Sequence, residues 1–136
     1  MLAIVDAGPL YAAVDTSDAD HQRSLDVLQR LDLRLIIPAL VVAEVTYLIG
    51  RRLGSSIEAA FLRSLHDFDI ASPTSADWPR IGQLVEHYAN FPLGGTDASI
   101  VALAERLGAE VVITLDHRHF GQIRPRHCMA FRLLPE

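Results

Sequence analysis

Leu2-Ala3-Ile4-Val5-Asp6-Ala7-Gly8-Pro9-Leu10 is the stretch that decides the class of this chain. Four apolar residues in a row, two of them β-branched, read as a strand apolar on both faces, which is how strands inside a parallel sheet read. Asp6-Ala-Gly-Pro ends it and leads into a short helical turn from Leu10 to Val14. The same grammar recurs downstream. Leu35-Ile36-Ile37, closed by Pro38, and Val111 to Leu115, ended by Asp116, read as two more buried strands. Phe68 to Ala71 and Ala130 to Leu134 are briefer candidates. Helical periodicity fills the gaps. Residues 20–32 place Leu25, Leu28 and Leu31 on one face, and residues 39–52 form an apolar helix ending in Arg51-Arg52 before Gly54. Ser55 or Ser56 is positioned to cap a helix carrying Ile57, Phe61, Leu62 and Leu65, with Glu58 near the place a capping box requires. Ser75 or Asp77 opens another, with Trp78, Ile81, Leu84, Val85 and Tyr88 in register, and Gly108 stops a last one from about Thr96 to Leu107. This alternation predicts an α/β fold with a mostly parallel central sheet flanked by helices, in one domain over residues 1–136.

Composition narrows the function. The 136 residues are 50% hydrophobic and 21% charged, which excludes intrinsic disorder. Mean hydropathy is +0.23, yet the longest apolar run, Leu35 to Ala43, is interrupted by Pro38, so no membrane span is expected. No basic region or cleavage site marks the N-terminus, so no signal peptide is expected either, and the reading is cytoplasmic. The single cysteine, Cys128, can build neither an internal disulfide nor a cysteine zinc cage. All 12 basic residues are arginine. Without lysine there is no P-loop and no Schiff-base chemistry. The net charge of -5 conceals an asymmetry. Six aspartates fall in residues 1–32, whereas residues 117–136 carry Arg118, Arg124, Arg126, Arg132 and three histidines against Glu136 alone. A locally basic surface of that kind is compatible with nucleic acid.

Four carboxylates stand out. Asp6 and Asp116 each follow a strand, where sites form in open parallel sheets, although each reads as well as a helix cap or a turn residue. Glu44 has Leu40, Val41, Tyr47 and Leu48 at its helical neighbour positions, so it is expected on the core-facing stripe, where glutamate is rare unless paired. Asp97 follows Gly94-Gly95-Thr96. It reads as a first-turn acid favoured by the helix dipole, with Thr96 as an alternative cap that would free Asp97 for another task. If all four converge to ~5 Å separations, each ionised pair costs ~3 kcal/mol at an effective dielectric of ~20. Such a cluster protonates in part or holds cations, and an oxygen-only donor set suits Mg²⁺ or Mn²⁺.

Ile-Val-Asp6-Ala-Gly-Pro-Leu, Val-Val-Ala-Glu44-Val, Gly-Gly-Thr-Asp97-Ala-Ser-Ile and Thr-Leu-Asp116-His-Arg-His-Phe, in this order and spacing, resemble the PIN-domain ribonucleases. Among these the chain looks most like the VapC toxins of VapBC toxin–antitoxin modules. The resemblance runs from residue 4 to about residue 134. It implies a PIN-like fold and a Mg²⁺-dependent endoribonuclease acting as the toxin of a type II module. It further implies that Asp6, Glu44, Asp97 and Asp116 form a catalytic metal site, supported by the polar residues Thr114 and Thr96. The implied substrate is RNA of the tRNA or rRNA class, and the implied partner is a VapB-type antitoxin. The apolar excess points to a homodimer. Arg51, Arg52, Arg118, Arg124 and Arg126 are the candidate phosphate contacts.

Two other classes stay open. One is a non-catalytic PIN-like module whose acids hold a structural ion. The other is aspartate-based phosphotransfer or phosphatase chemistry, which fits less well because a receiver wants lysine and the phosphatase pattern wants an acid where Gly8 stands. His117 and His119 invite a zinc reading, but with no nearby cysteine a solvated or substrate-facing loop is the better expectation. His21 and the His127-Cys128 pair read as incidental. Phe61, Trp78, Tyr88 and Phe91 read as core or partner-groove residues rather than a base-stacking platform.

Overall fold

The structure is a computed structural model that describes all residues, 1–136. β1 (Leu2–Val5), β2 (Arg34–Pro38), β3 (Asp69–Ala71), β4 (Val111–Ile113) and β5 (Arg132–Leu134) form one sheet in the order β3-β2-β1-β4-β5. Every pairing is parallel, so the sheet is fully rather than mostly parallel. Strand order runs outward in both directions from β1 and β4. The crevice beyond the C-terminal ends of these two strands is therefore the topological switch point, where sites form in such sheets.

The helices are α1 (Ala7–Val14), α2 (His21–Leu28), α3 (Ala39–Leu53), α4 (Ser55–Ser64), α5 (Asp77–His87), α6 (Gly95–Leu107) and α7 (His117–Phe120). Ala3, Ile4, Val5, Ile36, Ile37, Val111, Val112 and Ile113 are buried on both faces of the sheet, which accounts for the unbroken apolar runs. α6 is buried almost along its whole length and packs on β1, β2 and α3. Gly108 closes it at φ 71°, a left-handed conformation that costs glycine little. Because only a short turn joins α6 to β4, the N-terminus of α6 must start at the C-terminal edge of the sheet.

Four expectations are corrected in detail. α1 begins directly after Asp6 rather than at Leu10. α2 ends at Leu28, and Leu31 lies fully exposed beyond it, so the predicted leucine face is cut short. Its buried positions are Ser24 and Val27. The capping box before α4 does not form: Gly54 takes the cap position, and the Glu58 carboxylate instead lies over the bare Cα of Gly50, where α3 and α4 approach closely. On α5, Ile81 and Leu84 are buried, but Trp78 points to solvent at 52% exposure.

α5 and α6 are clamped by ions. Arg80 Nε and Nη2 donate to Glu105 Oε1 and Oε2, both at 2.8 Å. Glu105 Oε2 also accepts from the Arg126 N–H at 2.8 Å. Burial by itself would raise the Glu105 carboxyl, but these donors outweigh it and hold the group below its ordinary value. Removing one partner of a bidentate, largely buried pair strands the other charge. Glu105→Gln is therefore expected to cost about 2–4 kcal/mol in urea unfolding at neutral pH, slightly under the fully buried range. A cost near zero would show that the clamp contributes nothing.

Candidate functional site

The site begins with strand register. Val5 pairs with Ile113, so the next residues, Asp6 and Thr114, emerge side by side at the C-terminal edge. Asp6 is 7% exposed and Thr114 is 0% exposed. The Thr114 hydroxyl donates to Asp6 Oδ2 at 2.7 Å and accepts the Asp116 N–H at 2.9 Å. One hydroxyl thus ties both strand-end acids together. Asp6 is also the cap of α1 and accepts from the Ala7 N–H at 2.7 Å. Asp116 caps α7 through the His119 N–H at 3.1 Å. For these two residues the capping role and a place in the crevice coexist.

Asp97 enters from the first turn of α6, and Glu44 from the second turn of α3. The carboxyl groups feel one another. Asp97 is pushed up to about 6, by burial first and then by Asp6, Glu44 and Asp116, with His119 opposing. Burial raises Asp6 despite the Thr114 and Ala7 donors, and Asp116 adds to the rise. Glu44 is raised by partial desolvation of its carboxyl and by Asp6. No hydrogen bond relieves either Asp97 or Glu44.

Glu44 does not lie on the core stripe as its neighbours led one to expect. The buried stripe of α3 is Val41, Val45 and Ile49, while Glu44 and Tyr47 are exposed. Apolar neighbours at helical spacing show only that a stripe passes nearby. Thr96 does not cap α6, whose cap position belongs to Gly94. The Thr96 carbonyl instead accepts from the buried Ser99 hydroxyl at 2.6 Å.

Sequence reasoning missed the rings beside the acids. His119 Nδ1 lies 2.7 Å from Asp116 Oδ2. The His119 ring stacks on Phe91 with centroids 5.5 Å apart and planes at 24°. Phe91 contacts Tyr88 edge-on at 5.0 Å, and the Tyr88 hydroxyl accepts the Arg124 N–H at 2.9 Å. Three-residue spacing between Asp116 and His119 is the signal in the sequence, and a solvated or substrate-facing loop does not by itself imply the ring contact with Asp116. His117 faces outward, with Nε2 3.1 Å from the Thr114 carbonyl. Among the arginines, Arg51 reaches the Tyr47 hydroxyl at 3.2 Å and Arg52 lies over the Tyr11 ring at 5.1 Å. Arg124 and Arg126 belong to the α5 side of the molecule, where Arg126 Nη2 donates to Gln83 at 2.9 Å.

The residues that could hold a cation are Asp6, Glu44, Asp97 and Asp116. No three His, Cys, Asp or Glu side chains close into a ready-made ligand cage. A Mg²⁺ ion keeps several waters and takes only one or two carboxylates directly, so a spread oxygen-only set fits it and disfavours soft metals. Thr114→Val removes the joint while keeping shape. It is expected to cost about 1–3 kcal/mol, since Asp6 and the Asp116 N–H lose a buried partner. Thermal and urea unfolding read this directly, and an unchanged midpoint would show that the bridge is not formed.

Comparison with known proteins identifies the family and the fold. The PIN domain family matches residues 3–124. The chain is 31% identical over 134 residues to Ribonuclease VapC26 of Mycobacterium tuberculosis, covering 97% of this chain and 99% of that protein. Its fold resembles that of VapC20 of Mycobacterium tuberculosis, a toxin that cleaves the sarcin-ricin loop, with a TM-score of 0.74 at 17% identity over 81% of this chain and 86% of the other. It also resembles VapBC2 of Rickettsia felis, crystallised bound to a DNA fragment from its promoter, with a TM-score of 0.72 at 16% identity over 98% of both chains. Parallel sheet, acids at its switch point and near full-length similarity together show that this chain belongs to the PIN-domain family.

Proposed function

We propose that this protein is a metal-dependent endoribonuclease, the toxin of a type II toxin–antitoxin module, acting through Asp6, Glu44, Asp97 and Asp116. The observation that carries this reading is the joining of Asp6 and Asp116 through the Thr114 hydroxyl at the end of the β1–β4 crevice, with Asp97 entering from α6 and Glu44 from α3. Mg²⁺ or Mn²⁺ held there supplies an acidified water and positive charge for the scissile phosphate. Thr114 holds Asp6 and Asp116 in fixed orientation, while Asp97 and Glu44, free of hydrogen bonds, can turn toward a cation. Exposed arginines supply attraction for the RNA backbone. The relatives' ribonuclease identity supports this substrate class, which we place among tRNA or rRNA, in the cytoplasm.

The partner we propose is a VapB-type antitoxin, as in the structurally similar toxin–antitoxin complexes. An apolar groove of about 320 Å³ between α1, α2 and α4, lined by Leu10, Val14, Leu25, Leu28 and Phe61, suits an amphipathic segment. We propose a homodimer, since Tyr47 and Leu62 leave apolar surface on α3 and α4 exposed. The domain is proposed to span residues 1–136. The rival reading, a non-catalytic module with a structural ion, is separated by one experiment. A short pulse of expression followed by mapping of RNA 5′ ends should reveal discrete new cleavage sites, absent for Asp6→Asn. Identical end maps for the two proteins would remove the nuclease reading.

A further inference from the structure

Six arginines have no carboxylate within ion-pair distance: Arg51, Arg52, Arg63, Arg118, Arg124 and Arg126. Arg124 differs from the rest in its surroundings. It walls a cleft of about 400 Å³ with Arg80, Gln83, His87, Tyr88 and Gln122, and no carboxylate lines that cleft. The Arg80 charge is matched by Glu105, so Arg124 is the one uncompensated guanidinium of the cleft. Its position is fixed at both ends. The Arg124 N–H is held by the Tyr88 hydroxyl, and Nη1 donates to the Gly121 and Ile123 carbonyls at 3.1 and 3.2 Å. Nη2 and Nε donate no hydrogen bond to the protein.

The cleft is joined to the acids by a continuous run of rings. Tyr88 meets Phe91, Phe91 stacks on His119, and His119 holds Asp116. We infer that this cleft is a backbone subsite for the RNA strand, in which Arg124 and the amides of Gln83 and Gln122 take a phosphodiester a short way along from the scissile one. A guanidinium with two free donor nitrogens suits the paired oxygens of a diester. A charged groove beside rings is the usual platform for a single strand. The inference rests on the nuclease reading and adds where the substrate lies.

The test measures binding separately from cleavage. A short fluorescent single-stranded RNA is titrated onto the Asp97→Asn protein between about 50 and 200 mM salt, where phosphate contacts dominate the salt slope. Adding Arg124→Gln should weaken binding about fivefold to tenfold at the lower salt and flatten the slope by ~0.7, one contact on a single strand. Gln122→Glu, which leaves Arg124 intact and adds a repelling charge, should weaken binding at least as much. Arg124→Lys should keep the slope, and Arg63→Gln, an equal charge change on α4, should leave the curve in place. Arg124→Gln and Gln122→Glu proteins that titrate along the parent curve would overturn the subsite. A wild-type protein that cuts no RNA with Mg²⁺ present would instead overturn the nuclease reading, a separate outcome.

Discussion

Replacing Asp97 with asparagine is expected to lower RNA cleavage by at least about a hundredfold, while the protein melts at a higher temperature in metal-free buffer. The two effects share one cause. Burial first, and then Asp6, Glu44 and Asp116, push Asp97 up to about 6 against an ordinary 3.8. An ionised carboxylate there is useful only if a cation takes its charge, so removing it removes a ligand and relieves repulsion together. The sign of the pH effect follows. The folded state keeps the Asp97 proton up to about 6, whereas the unfolded chain releases it near 3.8. Stability from this group is fully present below the lower value and is lost as pH rises through the upper one. The melting difference between Asp97→Asn and wild type should accordingly be near zero at the acid end and grow to a plateau above about pH 6.5. Because the group is only partly buried, screening reduces the gain to on the order of 1 kcal/mol, a few degrees in Tm. Asp6→Asn, Glu44→Gln and Asp116→Asn should also lose most cleavage. Asp6→Asn and Asp116→Asn should show less thermal benefit than Asp97→Asn, because their oxygens are already committed to Thr114, Ala7 and His119. An Asp97→Asn enzyme that cuts at the wild-type rate would end the assignment.

Chelation is the second large effect. EDTA should bring cleavage to background, and added Mg²⁺ or Mn²⁺ should restore it. Binding has its own readout. Anything that binds only the folded state raises Tm by mass action, so millimolar Mg²⁺ at pH 8 should raise the wild-type melting temperature and have much less effect on the Asp6→Asn, Asp97→Asn double variant. Full cleavage in EDTA would exclude the metal mechanism. Cleavage lost in EDTA but with equal Mg²⁺ shifts in both proteins would place the ion somewhere other than these acids.

Much of this could be read from the chain alone. The unbroken apolar runs at Leu2–Val5, Leu35–Ile37 and Val111–Ile113 are legible because a strand covered on both faces has no polar side to show. The order and spacing of the four acid motifs carry the resemblance, and around Asp6, Asp97 and Asp116 the turns at strand ends and helix starts favour particular small residues. Glu44 shows the limit of this. Apolar neighbours placed it on the core stripe, but helix rotation is set by what packs against the helix, and α3 turns Val41, Val45 and Ile49 inward instead.

Sequence by itself determined the parallel sheet and the helices between its strands, and it singled out four acids as candidates, since these depend on local periodicity and on residue type. Tertiary structure alone decided what each acid experiences. Val5 lies opposite Ile113 across more than a hundred residues, and only that register lets the Thr114 hydroxyl bridge Asp6 and Asp116. The Phe91–His119 stack and the Arg124 cleft likewise join α5, the loop before α6, α7 and the segment after it. Such contacts pair residues far apart in the chain, and no local pattern records them because each side is set by the packing of the other.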